Sequence, residues 1–203
     1  MNWLERKLAE PRRRLRKEMP KVPLEHAHTE HGVLLPNRLA MLDHMPKGGQ
    51  VAEIGVATGQ FSSEILERCS PECLHLVDAW SQSRYSPARV KVEERFAREI
   101  SQGAVKLHVG MSTDKLKEFA DDSLDWAYID TNHTYKTTKA ELEICARIVK
   151  PGGLIAGHDF CTGNVVKPVV YGVIQAVNEF CVKHEWRYKY VTLESGGHFS
   201  FCL

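Results

Sequence analysis

The chain has no apolar run approaching the roughly 20 residues that a membrane span requires, and no apolar segment near its start that would serve as a secretory leader. A soluble, cytoplasmic protein with no membrane partner is expected. Net charge is equally scarce: 27 basic residues against 26 acidic ones leave +1, so no overall field recruits a polyanion, and nucleic acid is not an expected partner. Cysteine is thin and scattered. Cys69, Cys73, Cys145, Cys161, Cys181 and Cys202 form no CxxC pair, and Cys69 with Cys73 lacks a second pair to complete a zinc site. Buried free thiols are expected rather than disulfides or metal ligands. Internal repeats are absent, as is any biased tract beyond one basic run, Arg12, Arg13, Arg14, Arg16 and Lys17. That run reads as a solvated arm, or as a contact for an anionic substrate, a partner subunit or RNA.

What is present suits a single core: 203 residues, 43% of them hydrophobic, support one sizeable domain and not two. Residues 1–33 are polar, carry Pro11, Pro20 and Pro23 together with His26, His28 and His31, and read as a mobile N-terminal arm or lid rather than a metal site. Beyond them the pattern alternates. Strands are expected at Gln50 to Ile54, Leu74 to Val77, Val105 to Val109, Leu124 to Ile129, Leu154 to Gly157, Tyr188 to Leu193 and His198 to Leu203. Helices are expected at Leu34 to Met45, Phe61 to Cys69, Pro87 to Ser101, Lys115 to Phe119, Thr134 to Val149 and Gly172 to His184. Such alternation predicts an α/β fold, a parallel doubly wound sheet with helices on both faces. Only Glu194-Ser195-Gly196-Gly197 separates the last two strands, which permits only an antiparallel hairpin.

The most informative stretch is VAEIGVATGQFS, Val51 to Ser62, where a strand carrying Glu53 runs into Gly55, Ala57 and Gly59 and then a helix start. Glycines here let the backbone turn tightly and bring its N–H groups against a ligand; a tight connection without a ligand is the alternative. A dinucleotide fingerprint would place glycine or alanine at Gln60, so a nicotinamide oxidoreductase is disfavoured. E-x-G-x-x-x-G instead resembles the first motif of the class I S-adenosylmethionine-dependent methyltransferases. Their Rossmann-like sheet of seven strands, ending in an antiparallel hairpin, is similar to the pattern over residues 34–203. The resemblance implies S-adenosylmethionine as cofactor, with Glu53, Gly55, Ala57 and Gly59 in its loop.

Residues after the strands carry the rest, since ligands of such sheets sit beyond the strands' carboxyl ends. Asp78 lies 23 residues beyond Gly55, where an acid can accept bonds from ribose hydroxyls; Ala79 and Trp80 follow, the tryptophan beside an adenine or simply at the surface. Ser112 looks like the adenine-contacting residue of the catechol-type O-methyltransferases, with a helix or turn cap as its other reading. One departure is plain. Those enzymes hold the methionine carboxylate with a serine two residues past the last glycine, and this chain has Phe61 there, with Ser62 one further on.

YIDTNHTY, PGGLIAGHDF and the Ala176-Val177-Asn178-Glu179-Phe180 helix together resemble the family of macrocin-type sugar O-methyltransferases and cephalosporin hydroxylase relatives. That resemblance makes the fourth and fifth strands neighbours, roughly 5 Å apart. Asp130 and Asp159 could then share a divalent cation such as Mg²⁺, with His158 at the position where relatives carry an acid. Asp130 as a helix cap is the plain alternative. His133, three residues past Asp130, stands where the catechol-type enzymes place a base and could take a hydroxyl proton; capping the next helix is its other reading. His198 reads as structural. The expected activity is O-methylation of a small molecule, a sugar or a phenolic compound. N-methylation, or cofactor binding by a partner subunit that transfers nothing, are the alternatives. A homodimer is expected from the basic arm and the exposed hairpin edge, and acceptor choice from residues 1–33 and the loops at Ser81 to Pro87 and Cys161 to Pro168.

Overall fold

The computed structural model describes residues 3–81, 86–164 and 169–203. In chain order these form α1 (Trp3–Glu18), a 3₁₀ turn at His26–His28, β1 (Val33–Leu35), α2 (Arg38–His44), β2 (Gln50–Ile54), α3 (Gln60–Cys69) and β3 (Cys73–Asp78). Next come α4 (Ser86–Arg95), α5 (Ala97–Ser101), β4 (Val105–Val109), α6 (Ser112–Lys115), β5 (Leu124–Ile129) and α7 (Tyr135–Ile148). The remainder is β6 (Val149–Gly157), β7 (Gly163–Asn164), β8 (Val169–Val170), α8 (Val173–His184), β9 (Tyr190–Thr192) and β10 (Phe201–Cys202). Among the described residues one sheet has eight strands in the order β1-β9-β10-β6-β5-β2-β3-β4, and β7 pairs with β8 separately. β2, β3, β4, β5 and β6 are parallel, while β10 runs antiparallel to β6 and β9. The doubly wound sheet with a closing hairpin is the expected Rossmann-like fold.

Strand alternation sends neighbouring side chains into two separate cores. Val51, Leu74, Leu76, Trp126 and Tyr128 pack with Met41 and Leu42 of α2, Ile65 of α3 and Val92 of α4. Ala52, Ile54, Ala127, Ile129 and Ile155 face Leu142, Cys145 and Ile148 of α7 and Val173, Val177 and Phe180 of α8. All six cysteines are free, five of them buried. No helix of the described residues is long and apolar enough to cross a membrane.

The structure departs from the pattern reading in several places, among them the helix expected at Lys115 to Phe119, where α6 (Ser112–Lys115) is followed instead by a 3₁₀ turn at Leu116–Glu118. Residues 3–18 of the expected arm are helical despite Pro11, as suits a stretch rich in Arg, Lys, Leu and Glu, and the helix runs beside β8. Val33 to Leu35 form an eighth strand, parallel to β9, so helix α2 starts only after Asn37, whose side chain caps it by accepting from the Ala40 N–H at 2.9 Å. That strand covers the hairpin edge expected to be open. The helix expected at 87–101 breaks at Phe96, whose buried ring lies under the Gly59 turn. β6 begins at Val149, with Pro151, Gly152 and Gly153 taken up in a register shift against β5.

Two contacts hold the strands in place. At one end of the sheet Asp125 accepts from the Gln50 N–H and the Lys150 ammonium, both at 2.7 Å, tying β2, β5 and β6 together. At the other end Gly55 has φ +92°, and a Cβ there would fall 2.0 Å from the Asp130 carbonyl oxygen. We predict that Gly55→Ala costs roughly 2–4 kcal/mol in urea denaturation, the sum of left-handed strain and overpacking. Burial pushes the Asp125 carboxyl up, but Lys150 and the Gln50 N–H outweigh it and hold it below its ordinary value. A depressed carboxyl stabilises above its unfolded pKa and loses this as pH falls through the folded one. The stability gap between wild type and Asp125→Asn should therefore be present at pH 7 and close under acid.

Candidate functional site

A cavity of about 600 Å³ opens at the carboxyl ends of the parallel strands, within the roughly 300–1,000 Å³ usual for small-molecule sites. Its described lining joins Gly55 and Ala57 after β2, Asp78, Ala79 and Trp80 at the end of β3, Met111 and Ser112 after β4, and Asp130 to His133 after β5, with Tyr171 beyond. Eight sequence-predicted residues thus meet: Gly55, Ala57, Asp78, Ala79, Trp80, Ser112, Asp130 and His133. Glu53 and Gly59 are not among the lining. Glu53 lies buried beneath the loop, accepting from the Ser62 hydroxyl, and burial pushes its carboxyl up to about 8. Gly59 caps the start of α3 at φ +74°, and a Cβ there would meet the Phe96 ring at 2.9 Å, so packing also requires glycine here.

Asp78 organises the loop itself. One carboxylate oxygen accepts from the Val56 and Ala57 N–H groups at 2.8 and 3.0 Å, and the other from the Trp80 N–H at 2.8 Å. Trp80 is buried rather than at the surface, and its indole N–H donates to the Ala57 carbonyl at 2.9 Å. The β2 and β3 loops are thereby latched to each other. Ser112 is not a cap: its hydroxyl donates to the buried carboxylate of Glu141 at 2.5 Å, and Thr131 donates to the same carboxylate at 2.9 Å. Burial pushes Glu141 up to about 7, and the two hydroxyls and His133 only partly oppose this. Glu141 escaped sequence reading because it sits mid-helix on α7, where a carboxylate normally faces water.

On the other side Thr134, not Asp130 or His133, caps α7. That frees both residues. His133 Nε2 lies 3.0 Å from one Asp159 oxygen, while His198 Nδ1 bonds the other. Burial pushes His133 down, but the hydrogen bond and charge of Asp159, then Asp130 and Glu141, overcome this and leave it raised. Asp159 is shifted the opposite way: burial pushes it up, and its bond to His133 leads the pulls that take it down to about 2. The two shifts describe one ion pair. Asp130 is raised by its burial, with His158 Nδ1 at 3.8 Å and an Arg38 guanidinium nitrogen at 3.7 Å as its cationic neighbours. His158, expected beside the metal, is half-buried and pushed down, chiefly by desolvation.

Asp130, His133 and Asp159 each bring one donor atom within 4.8 Å of the others, as do Asp159, Cys161 and His198. This is not the set expected for Mg²⁺, which takes near-octahedral oxygen ligation. Both Asp159 oxygens already hold imidazoles, and Asp130 faces a guanidinium. His26, His28 and His31 belong to neither group; His26 and His31 flank Glu30 at 3.4 and 3.7 Å on the surface. The expected acceptor loops fall partly on residues 82–85 and 165–168, which lie outside the described residues.

A family model described as a methyltransferase domain matches residues 52–160, more than half of the chain. No curated protein sequence matches. Among solved structures, spermidine synthase from Thermotoga maritima superposes at TM-score 0.55 with 16% identity, over 82% of this chain and 56% of that one. The chain therefore spans little more than half the length of that protein. A fibrillarin from Aeropyrum pernix, solved with natively bound S-adenosyl-L-methionine, gives 0.59 at 10% identity over 87% of this chain and 74% of its own. A SAM-dependent methyltransferase from Methanosarcina mazei gives 0.60 at 13% identity over 83% and 97% of the respective chains. At these identities the structures show a shared fold, and the family model shows the lineage: the chain belongs to the methyltransferase-domain family.

Proposed function

We propose that this protein transfers a methyl group from S-adenosylmethionine to a hydroxyl of a small molecule, a sugar or a phenolic compound. The observation that carries the reading is the His133–Asp159 pair at 3.0 Å, whose histidine lines the same cavity as Gly55, Ala57 and Asp78. The cavity suits the cofactor in size, and a Cβ at Gly55 is excluded by the Asp130 carbonyl. The Asp78 carboxylate has about four lone-pair positions, so three amide bonds leave a place for a ribose hydroxyl. Gly55, Ala57, Asp78, Ala79, Trp80 and Ser112 would border the nucleoside, and Asp130 would face the cationic sulfonium.

Bound there, S-adenosylmethionine supplies an electrophilic methyl whose carbon–sulfur bond breaks as the new carbon–oxygen bond forms. The chain's task is to place the acceptor oxygen in line and remove its proton. With His133 Nε2–H donated to Asp159, the ring's Nδ1 carries the lone pair that takes that proton, and Asp159 stabilises the imidazolium produced. Tyr171, its ring centroid 4.8 Å from that of His133, limits where the imidazole can turn.

Titration calorimetry with S-adenosylhomocysteine tests the cofactor; absence of binding would overturn it. Against a panel of phenolic and sugar acceptors, His133→Ala should lose roughly 10²–10⁴-fold in turnover while its affinity for S-adenosylhomocysteine stays unchanged. The base works when neutral, so kcat/KM should rise with pH through an inflection above the ordinary imidazole value, following the raised pKa of His133. Asp159→Asn should move that inflection down, and a profile that ignores this substitution would remove His133 from the mechanism.

A further inference from the structure

Phe61 occupies the position from which a serine was expected to hold the methionine carboxylate, and its ring carries a cation: the Arg38 guanidinium carbon lies 4.7 Å from the ring centroid. We propose that Arg38 replaces that serine and anchors the carboxylate at the amino-acid end of S-adenosylmethionine. The inference rests on the cofactor reading above.

Three observations support it. First, the backbone of Arg38 is fixed from two sides, as the first residue of the Asn37-capped helix α2 and through its own N–H, which donates to Glu194 at 2.9 Å. The side chain therefore starts from a rigid base, and the Phe61 ring, itself 4.5 Å from the Tyr128 ring, supports its plane. Second, the guanidinium, though not part of the cavity lining, neighbours it through Asp130. Its ionic neighbour Asp130 belongs to the lining, yet the separation of 3.7 Å is beyond a good hydrogen bond. A guanidinium has five N–H donors in a planar fork that matches a carboxylate, so this long contact and the nearby Tyr128 hydroxyl do not exhaust it. The side chain is 35% exposed, which leaves the fork reachable.

Third, the surroundings leave positive charge to spare. Glu53, buried below, is pushed up to about 8 and is largely protonated at neutral pH. Glu194 is held by the Arg38 backbone N–H and the Thr192 hydroxyl, not by the guanidinium. Among the described residues Asp130 is the anion beside the fork, at 3.7 Å. A ligand carboxylate would supply the balancing charge. An arginine on α2 reaching over an aromatic residue on α3 thus does from the neighbouring helix what a hydroxyl on α3 would have done locally.

The test compares two nucleosides that differ only at the end in question. S-adenosylhomocysteine carries the amino acid; 5′-methylthioadenosine keeps the nucleoside and sulfur without it. Calorimetry on the full chain should show wild type preferring S-adenosylhomocysteine. Arg38→Gln should weaken that ligand by roughly 10- to 100-fold, the loss of a charge-assisted pair, and leave 5′-methylthioadenosine unchanged. Arg38→Lys keeps a cation and an apolar stem over Phe61, and should give a smaller fall in the same affinity ratio even if the glutamine variant does not fold. Equal losses for both nucleosides would make Arg38 a structural clamp and overturn the proposal, as would no loss, or no preference in wild type. Failure of wild type to bind either nucleoside would instead overturn the cofactor reading itself.

Discussion

The approach of the β2 and β5 ends decides whether there is a site at all. The Asp130 N–H donates to the Ile54 carbonyl at 2.7 Å, and its own carbonyl oxygen occupies the space where a side chain at residue 55 would start. Only glycine permits both. That contact sets Asp130 beside the Val56–Ala57 turn, and Asp78 latches the turn to β3 through its three backbone amides. Nucleoside wall and chemical wall are therefore one assembly, built from four strand ends whose relative positions the sheet register determines.

Backbone strain collects at these strand ends. Ala57, Trp80, His133 and Asp159 all have positive φ, at 50°, 41°, 61° and 54°, and each follows a parallel strand of the sheet. Non-glycine residues in this region cost roughly 1–3 kcal/mol apiece and persist where surrounding structure over-determines them. Here the compensation is visible: the Trp80 indole N–H is held by the Ala57 carbonyl, and the His133 carbonyl accepts from the Gly172 N–H at 2.9 Å. Gly172 has no freedom to be larger, since a Cβ would lie 2.4 Å from the Tyr135 backbone nitrogen. The His133 and Asp159 side chains, which would point elsewhere from a relaxed backbone, are turned toward each other.

The sequence was legible wherever a short local pattern carries the physics. Alternating apolar residues located β2, β3, β4 and β5 to within a residue, and the Gly55 turn and the acid after β3 followed from what a strand-to-helix connection over a ligand requires. It was less legible where a residue serves a distant partner. Gly59, read as part of a ligand loop, also faces the Phe96 ring on the next helix layer, and Glu53, read as a cofactor contact at the strand end, lies buried beneath the loop. Val33 to Leu35 gave no strand signal of their own, because a three-residue edge strand is made by its neighbour β9.

By itself, then, the sequence determined the parallel sheet, its closing hairpin and the set of residues that end its strands, because periodicity and turn chemistry act over a few residues at a time. Only the tertiary structure decided that Asp159 serves two imidazoles, that Glu141 holds Ser112 and Thr131, and that Arg38 stands over Phe61. Those pairings join residues between 10 and 39 positions apart in the chain, and their energies depend on burial and distance, which exist only once the sheet has been assembled.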